Sequence, residues 1–266
     1  MPFRKPVIAL IFAALLLTTL HQPLAAAPRI APIVSGIYLL GGSENGKWID
    51  AATTAKQLSS SDRYRVYTTA GQIGSGTATV SPSEDICTDT QFVRLKPEPK
   101  AKEFVAFGGT TNPLPRKPRL HNTSMAVYRQ AVADILRAKG IAKPDVRITK
   151  IVRIDLEGDG VDEVVLSATR GNTSEPSVKA GDYSLVVLRK VINGKVQTIP
   201  LAEEYHLKPI DFAAPNTYTV PAIADFNGDG KMEIMVNWSY YEGSGAELFT
   251  VQGNKVTNVL GSGCGV

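Results

Sequence analysis

Residues 222–236 read AIADFNGDGKMEIMV, and residues 151–167 read IVRIDLEGDGVDEVVLS. In each stretch an apolar, β-branched run enters a tight acidic turn and a second such run leaves it. Flanks of this composition favour strands, so each stretch predicts a strand–loop–strand unit. Counted from its first aspartate, loop one places Asp155, Glu157 and Asp159 at positions 1, 3 and 5, Gly158 and Gly160 at 4 and 6, and Glu163 at 9. Loop two places Asp225, Asn227 and Asp229 at 1, 3 and 5, Gly228 and Gly230 at 4 and 6, and Glu233 at 9. Like charges held this close repel unless something neutralises them.

Glycine supplies the positive φ that such a turn needs, and alternate side chains in a tight loop converge on one point. Carboxylates, an amide oxygen and a backbone carbonyl are hard donors that suit Ca²⁺. Position 7 would add its carbonyl, from Val161 or Lys231. With no histidine or cysteine nearby, zinc and copper are disfavoured. NGDG and EGDG also occur as plain hairpin turns, but two copies with one spacing, each with an acid at position 9, point to metal. An EF-hand requires a glutamate at position 12, where these loops carry Leu166 and Val236.

The pattern D-x-N-G-D-G-x-x-E between β-strands resembles the calcium loop of FG-GAP and VCBS-type repeats, found in secreted bacterial proteins. ADFNGDGKMEIMV matches closely; IDLEGDGVDEVVLS departs at Glu157, where the family has Asn or Asp, and the longer side chain there would distort or weaken that site. The likeness covers residues 148–170 and 218–240, without a Phe-Gly or Gly-Ala-Pro signature. It implies structural Ca²⁺ held by Asp155, Glu157, Asp159 and Glu163, and by Asp225, Asn227, Asp229 and Glu233. A propeller needs about four to eight blades, so two loops predict two blade-like units of antiparallel hairpins, not a complete propeller.

Residues 1–27 read as a secretory signal: Arg4 and Lys5, the apolar run from Val7 to Leu20, then Ala25–Ala27. The run is shorter than the roughly 20 residues of a spanning helix, which favours a cleaved signal over a membrane anchor, and no second apolar segment of that length follows, so no transmembrane segment is expected after cleavage. The expected location is periplasmic or extracellular. Removing Arg4 and Lys5 takes the net charge from +4 to +2, too little to argue for nucleic acid. Cys87 and Cys264, the two cysteines, predict one disulfide in an oxidising compartment.

The chain is expected to be mainly β with one amphipathic helix, an α+β pattern. Residues 28–120 form a β-rich region with proline-rich linkers, KPEPK at 96–100 and NPLPRKPR at 112–119; residues 121–266 hold the helix and the two-loop β domain. Asn122, Thr123 and Ser124 offer caps to a helix with the stripes Val127, Ala131, Ile135 and Val132, Leu136, stopped at Gly140. WIDAATTAKQL at 48–58 predicts a short helix, and NGK at 193–195 and GNK at 253–255 predict hairpin turns.

No catalytic motif is present. His121 and His206, the histidines beyond residue 27, each lack a motif. Two functional classes follow: a non-catalytic exported calcium-binding protein with a binding or surface-organising role, or an extracytoplasmic hydrolase with structural calcium. A cleft placing either histidine beside an acid or serine would favour the second. Trp238 and Tyr240 should share one strand face; exposed, they would stack on a carbohydrate or peptide of a protein partner, and buried, they are core.

Overall fold

The computed structural model describes residue 1 and residues 30–84, 86–171 and 175–266. Apart from Met1, the expected signal sequence lies outside the described residues. Among the described residues no helix is long and apolar enough to cross a membrane. The chain is mainly β, its strands pair antiparallel, and two helices accompany them among the described residues.

The N-terminal part contains β1 (Ala31–Ser35), β2 (Tyr38–Glu44), β3 (Lys47–Asp50), α1 (Ala51–Ala55), β4 (Arg63–Thr68), β5 (Gly71–Pro82), β6 (Gln91–Lys96) and β7 (Val105–Phe107). Its strands run in the order β1-β7-β4-β5-β6-β2-β3, and a β1–β2 pairing turns the sheet back on itself. Alternation sorts the side chains: Val34, Leu39, Tyr64, Val66, Val93 and Leu95 fill the inside against Ala51 and Ala55 of α1. Their neighbours Ile33, Leu40 and Phe107 point the other way into a second core. The helix expected over residues 48–58 shortens to α1 because Lys47–Asp50 pairs with β2, and Asp50 then caps the helix through Thr53 N–H at 2.8 Å.

The chain continues with β8 (Arg119–Leu120), α2 (Ala126–Ala138), β9 (Ile148–Ile154), β10 (Glu163–Arg170), β11 (Ser177–Val178), β12 (Tyr183–Ile192), β13 (Lys195–Tyr205) and β14 (Ile210–Asp211). It ends with β15 (Thr217–Thr219), β16 (Ile223–Ala224), β17 (Glu233–Tyr240), β18 (Gly243–Gln252) and β19 (Lys255–Gly265). One sheet has the order β13-β12-β10-β9-β8, another β15-β17-β18-β19 with β16 also on β17, and β11 and β14 pair separately. Two meanders therefore repeat one plan, β9-β10-β12-β13 and β16-β17-β18-β19, and the first connection in each is an acidic loop. The hairpin at Asn193-Gly194 has φ of 52° and 73°, as a primed turn requires.

The meanders stack face to face. Ile234 and Val236 of β17 meet Val152, Ile154, Val165, Val186 and Leu188 in one core. On the opposite face Met235, Ala246, Leu248 and Leu260 pack onto the N-terminal sheet. Helix α2 covers the far side of the middle sheet through Val132, Ala133 and Leu136. Its inward stripe is thus 132–133–136, while Val127, expected inward, is 60% exposed. The N-cap is Met125 without a side-chain bond; Asn122 spends its oxygen on Ser124 N–H, 2.8 Å away, one turn too early. Gly140 ends the helix with φ of 95°, as expected. β8, which ends at residue 120, pairs with β9.

Candidate metal centre

The two acidic loops have the same backbone. Gly158 and Gly160 have φ of 77° and 85°, and Gly228 and Gly230 have 79° and 85°. In loop one Asp155 accepts Gly158 N–H at 2.6 Å on Oδ1 and Gly160 N–H at 3.0 Å on Oδ2. In loop two Asp225 accepts Gly228 N–H at 2.6 Å and Gly230 N–H at 2.9 Å. Asp159 and Asp229 each accept the N–H of position 7, at 2.9 and 2.8 Å. Glu163 and Glu233 reach back to the N–H of position 2, Leu156 at 2.9 Å and Phe226 at 2.8 Å. Position 2 is a buried apolar anchor in both loops, a feature the sequence carries but acidic spacing does not advertise.

The loops also touch. Met232 N–H donates to Leu156 O at 2.9 Å, and Asp225 N–H donates to Pro113 O at 2.8 Å. Arg116 lies between them, donating from Nε to Asp155 O at 2.5 Å and from Nη2 to Leu156 O at 3.1 Å and Gly230 O at 2.7 Å. The proline-rich segment 112–119 is partly built in: Pro113 is buried, and Arg116 satisfies carbonyls of both loops, as a rigid multi-donor guanidinium can.

The charge environments of the loops differ. In loop one Glu157 accepts Gly253 N–H at 2.9 Å, and its other oxygen forms an ion pair with Lys190 of β12. Lys190 Nζ also lies 3.3 Å from Glu163 Oε1. Burial acts to raise Asp155, but the N–H groups of Gly160, Gly158 and Asp159, aided by Arg116, hold it below the usual carboxylate value. In loop two Asp225 is 4% and Glu233 2% exposed. Burial raises Asp225 against the opposing Gly230 and Gly228 N–H groups. Burial also pushes Glu233 up to about 9, opposed by Phe226 N–H and reinforced by the charges of Asp229 and Asp225. Among the described residues no Lys, Arg or His forms an ion pair with Asp225, Asp229 or Glu233.

Among the described residues no group of three or more His, Cys, Asp or Glu side chains is gathered on a common point. The hydrogen bonds show why: the carboxylates are turned onto the loops' own amides. Loop two still fits a hard cation by its chemistry. Asn227 Oδ1 accepts Asp229 N–H at 3.0 Å and Asp229 Oδ1 accepts Lys231 N–H at 2.8 Å, while the side chains are joined by a solvent-exposed 3.2 Å bond from Asn227 Nδ2 to Asp229 Oδ2, which is cheap to exchange for water or an ion. Each carboxylate oxygen that accepts one N–H keeps a further lone pair. The rim of the loop, Asn227 and Gly228, opens on a cavity of about 480 Å³ shared with Ser43, Asn45, Thr110 and Thr111. No family model, curated protein or solved structure matches this chain.

His206 Nε2 lies 2.7 Å from Glu204 Oε1, but the space beside it measures about 10 Å³, room for one water at most. Nearby Ser184 Oγ is committed to Thr169 Oγ1 at 2.9 Å and Tyr218 N–H at 2.8 Å. His121 Nε2 is buried without a hydrogen-bond partner among the described residues.

Trp238 and Tyr240 do share a face, half-buried, with ring planes 12° apart and centroids 6.1 Å apart. They lie across the glycines of β18 and β19, with Trp238 over Gly245 and Gly263 and Tyr240 over Gly243 and Gly265. A Cβ on Gly245 would stand 2.5 Å from Trp238 Cζ2 and 2.7 Å from Ser262 O. We expect Gly245→Ala to lift the indole and to cost about 1–3 kcal/mol, as overpacking does. Near-ultraviolet circular dichroism and chemical unfolding check this; an unchanged aromatic spectrum would show that the ring is not seated on the glycines.

Proposed function

We propose that this is an exported, non-catalytic protein of FG-GAP/VCBS-like type that holds Ca²⁺ in its second acidic loop and uses the stiffened fold for binding or surface organisation. The observation that carries the reading is the buried pair Asp225 and Glu233, in one turn with Asp229 and without a cationic partner among the described residues. Buried carboxylates either keep a proton or need a compensating cation. Asp225, Asn227, Asp229 and Glu233, with the carbonyl of Lys231, would hold the ion. When bound it supplies positive charge that relieves the repulsion among these acids. Export is supported by the leader pattern of residues 1–27 and by the Cys87–Cys264 disulfide, a bond favoured in oxidising compartments. A protein or carbohydrate partner suits such a module; nucleic acid does not.

Calorimetric titration with Ca²⁺ tests the reading. Wild type is expected to bind with Kd of roughly 10⁻⁴–10⁻³ M, the range of extracellular modules, and to gain about 2.7 kcal/mol of stability at a hundredfold excess over Kd. Asp225→Ala is expected to abolish both effects. Absence of heat and of stabilisation from wild type at millimolar Ca²⁺ ends the metal reading.

A further inference from the structure

The duplicated plan of the two meanders allows one loop to be compared with the other, position by position. Antiparallel pairing of β10 with β12 sets Val164 opposite Arg189, so the next step places Lys190 opposite Glu163. Pairing of β17 with β18 sets Ile234 opposite Phe249, so the same step places Thr250 opposite Glu233. The loops agree in the φ of their glycines and in the bonds from the N–H groups of positions 2, 4, 6 and 7 to the acids at 9, 1, 1 and 5; the N–H of position 5 turns to Asp155 in loop one and to Asn227 in loop two, and the loops differ further in what faces the acid at position 9. In loop one it is an ammonium whose side chain is 8% exposed, ion-paired to Glu157 and 3.3 Å from Glu163. In loop two it is a neutral threonine, whose hydroxyl donates to Thr257 O at 3.5 Å.

We propose that Lys190 is the resident cation of loop one, so that loop one takes no metal ion and the protein binds Ca²⁺ at loop two alone. The chemistry is substitution of one cation by another. A metal ion entering loop one would have to displace the ammonium from Glu157 and Glu163 and leave it buried beside a dication, and like charges so placed repel strongly. Glu157 belongs to the same device. Its extra methylene, relative to the Asn227 of loop two, lets the carboxylate reach Lys190 and also Gly253 N–H in the β18–β19 turn. Loop one thereby becomes a metal-independent staple between the two meanders, and loop two is the exchangeable site.

This inference deepens the cation reading of loop two, and a site-resolved experiment separates the two. Amide ¹H–¹⁵N spectra are recorded during Ca²⁺ titration, following Gly158 and Gly160 for loop one and Gly228 and Gly230 for loop two. In wild type only the loop two glycines are expected to shift with a saturable midpoint. Lys190→Thr, which gives loop one the environment of loop two, is expected to make Gly158 and Gly160 respond as well. Thr250→Lys, the reciprocal change, is expected to weaken the loop two response by roughly tenfold or more. Saturable shifts of the loop one glycines in wild type overturn the proposal, as does a folded Lys190→Thr protein whose loop one stays silent. Should Lys190→Thr fail to fold, the wild-type titration and Thr250→Lys decide: a Thr250→Lys protein that binds at loop two like wild type also overturns it. A wild type silent at both loops overturns the function proposed above, and a loop one response that appears only in Lys190→Thr then upholds the part assigned to Lys190.

Discussion

Replacing Cys87 and Cys264 together by serine is expected to lower stability by about 5 kcal/mol if chain entropy alone decides. The two residues are 177 apart in sequence, so the bond closes most of the chain into one loop and removes many conformations from the unfolded state. Removal of native disulfides costs roughly 2–5 kcal/mol in practice, because unfolded chains retain some contacts. Geometry says where the loss falls. Cys264 lies in β19, the last strand, and Cys87 lies between β5 and β6, so the bond ties the C-terminal meander to the N-terminal sheet. Beside it Thr90 Oγ1 donates to Gly263 O at 2.7 Å, and Leu248 and Leu260 pack against the N-terminal sheet. Denaturant unfolding of wild type, oxidised and reduced, and of the double variant measures the effect. A difference under about 1 kcal/mol would mean that β19 docks without the covalent tie.

Phe226→Ala is expected to cost about 3–5 kcal/mol, the usual loss when a buried phenylalanine leaves a cavity. Phe226 is fully buried and meets Phe107 edge-on at 5.8 Å. Its carbonyl accepts Ser43 Oγ at 2.6 Å. The side chain joins loop two to the N-terminal sheet, so its loss should loosen the site along with the core. A fall of roughly 10 °C in the unfolding midpoint follows for a chain of this size, with weaker Ca²⁺ binding if the loop holds an ion. A shift within about 2 °C would show that the contact between the sheets does not depend on this ring.

Much of the architecture was legible along the chain because its signals are short-ranged. Alternation in IMV at 234–236 distributes Ile234 and Val236 to one core and Met235 to the other. Gly158, Gly160, Gly228 and Gly230 mark their positive φ by being glycine. The helix was half legible: its existence and its stop at Gly140 were plain, but Val127 lies outside the packed stripe. Periodicity marks candidate faces, and only the sheet beneath selects one. The proline-rich segment at 112–119 reads as a linker because composition reports exposure on average, and the carbonyls that draw Arg116 inward belong to residues 155, 156 and 230.

By itself the sequence determined the strand–loop–strand units, their glycine turns and the clustering of acids within nine positions, since each depends on neighbours a few bonds away. Tertiary structure alone decided how those acids are compensated. Lys190 reaches Glu163 only because β12 pairs with β10 in one register, and a slip by one residue would turn it to the other face of the sheet. Nothing in the two loops announces that one carries an ammonium and the other faces a threonine; charge compensation is a matter of distance in space, which chain order does not encode.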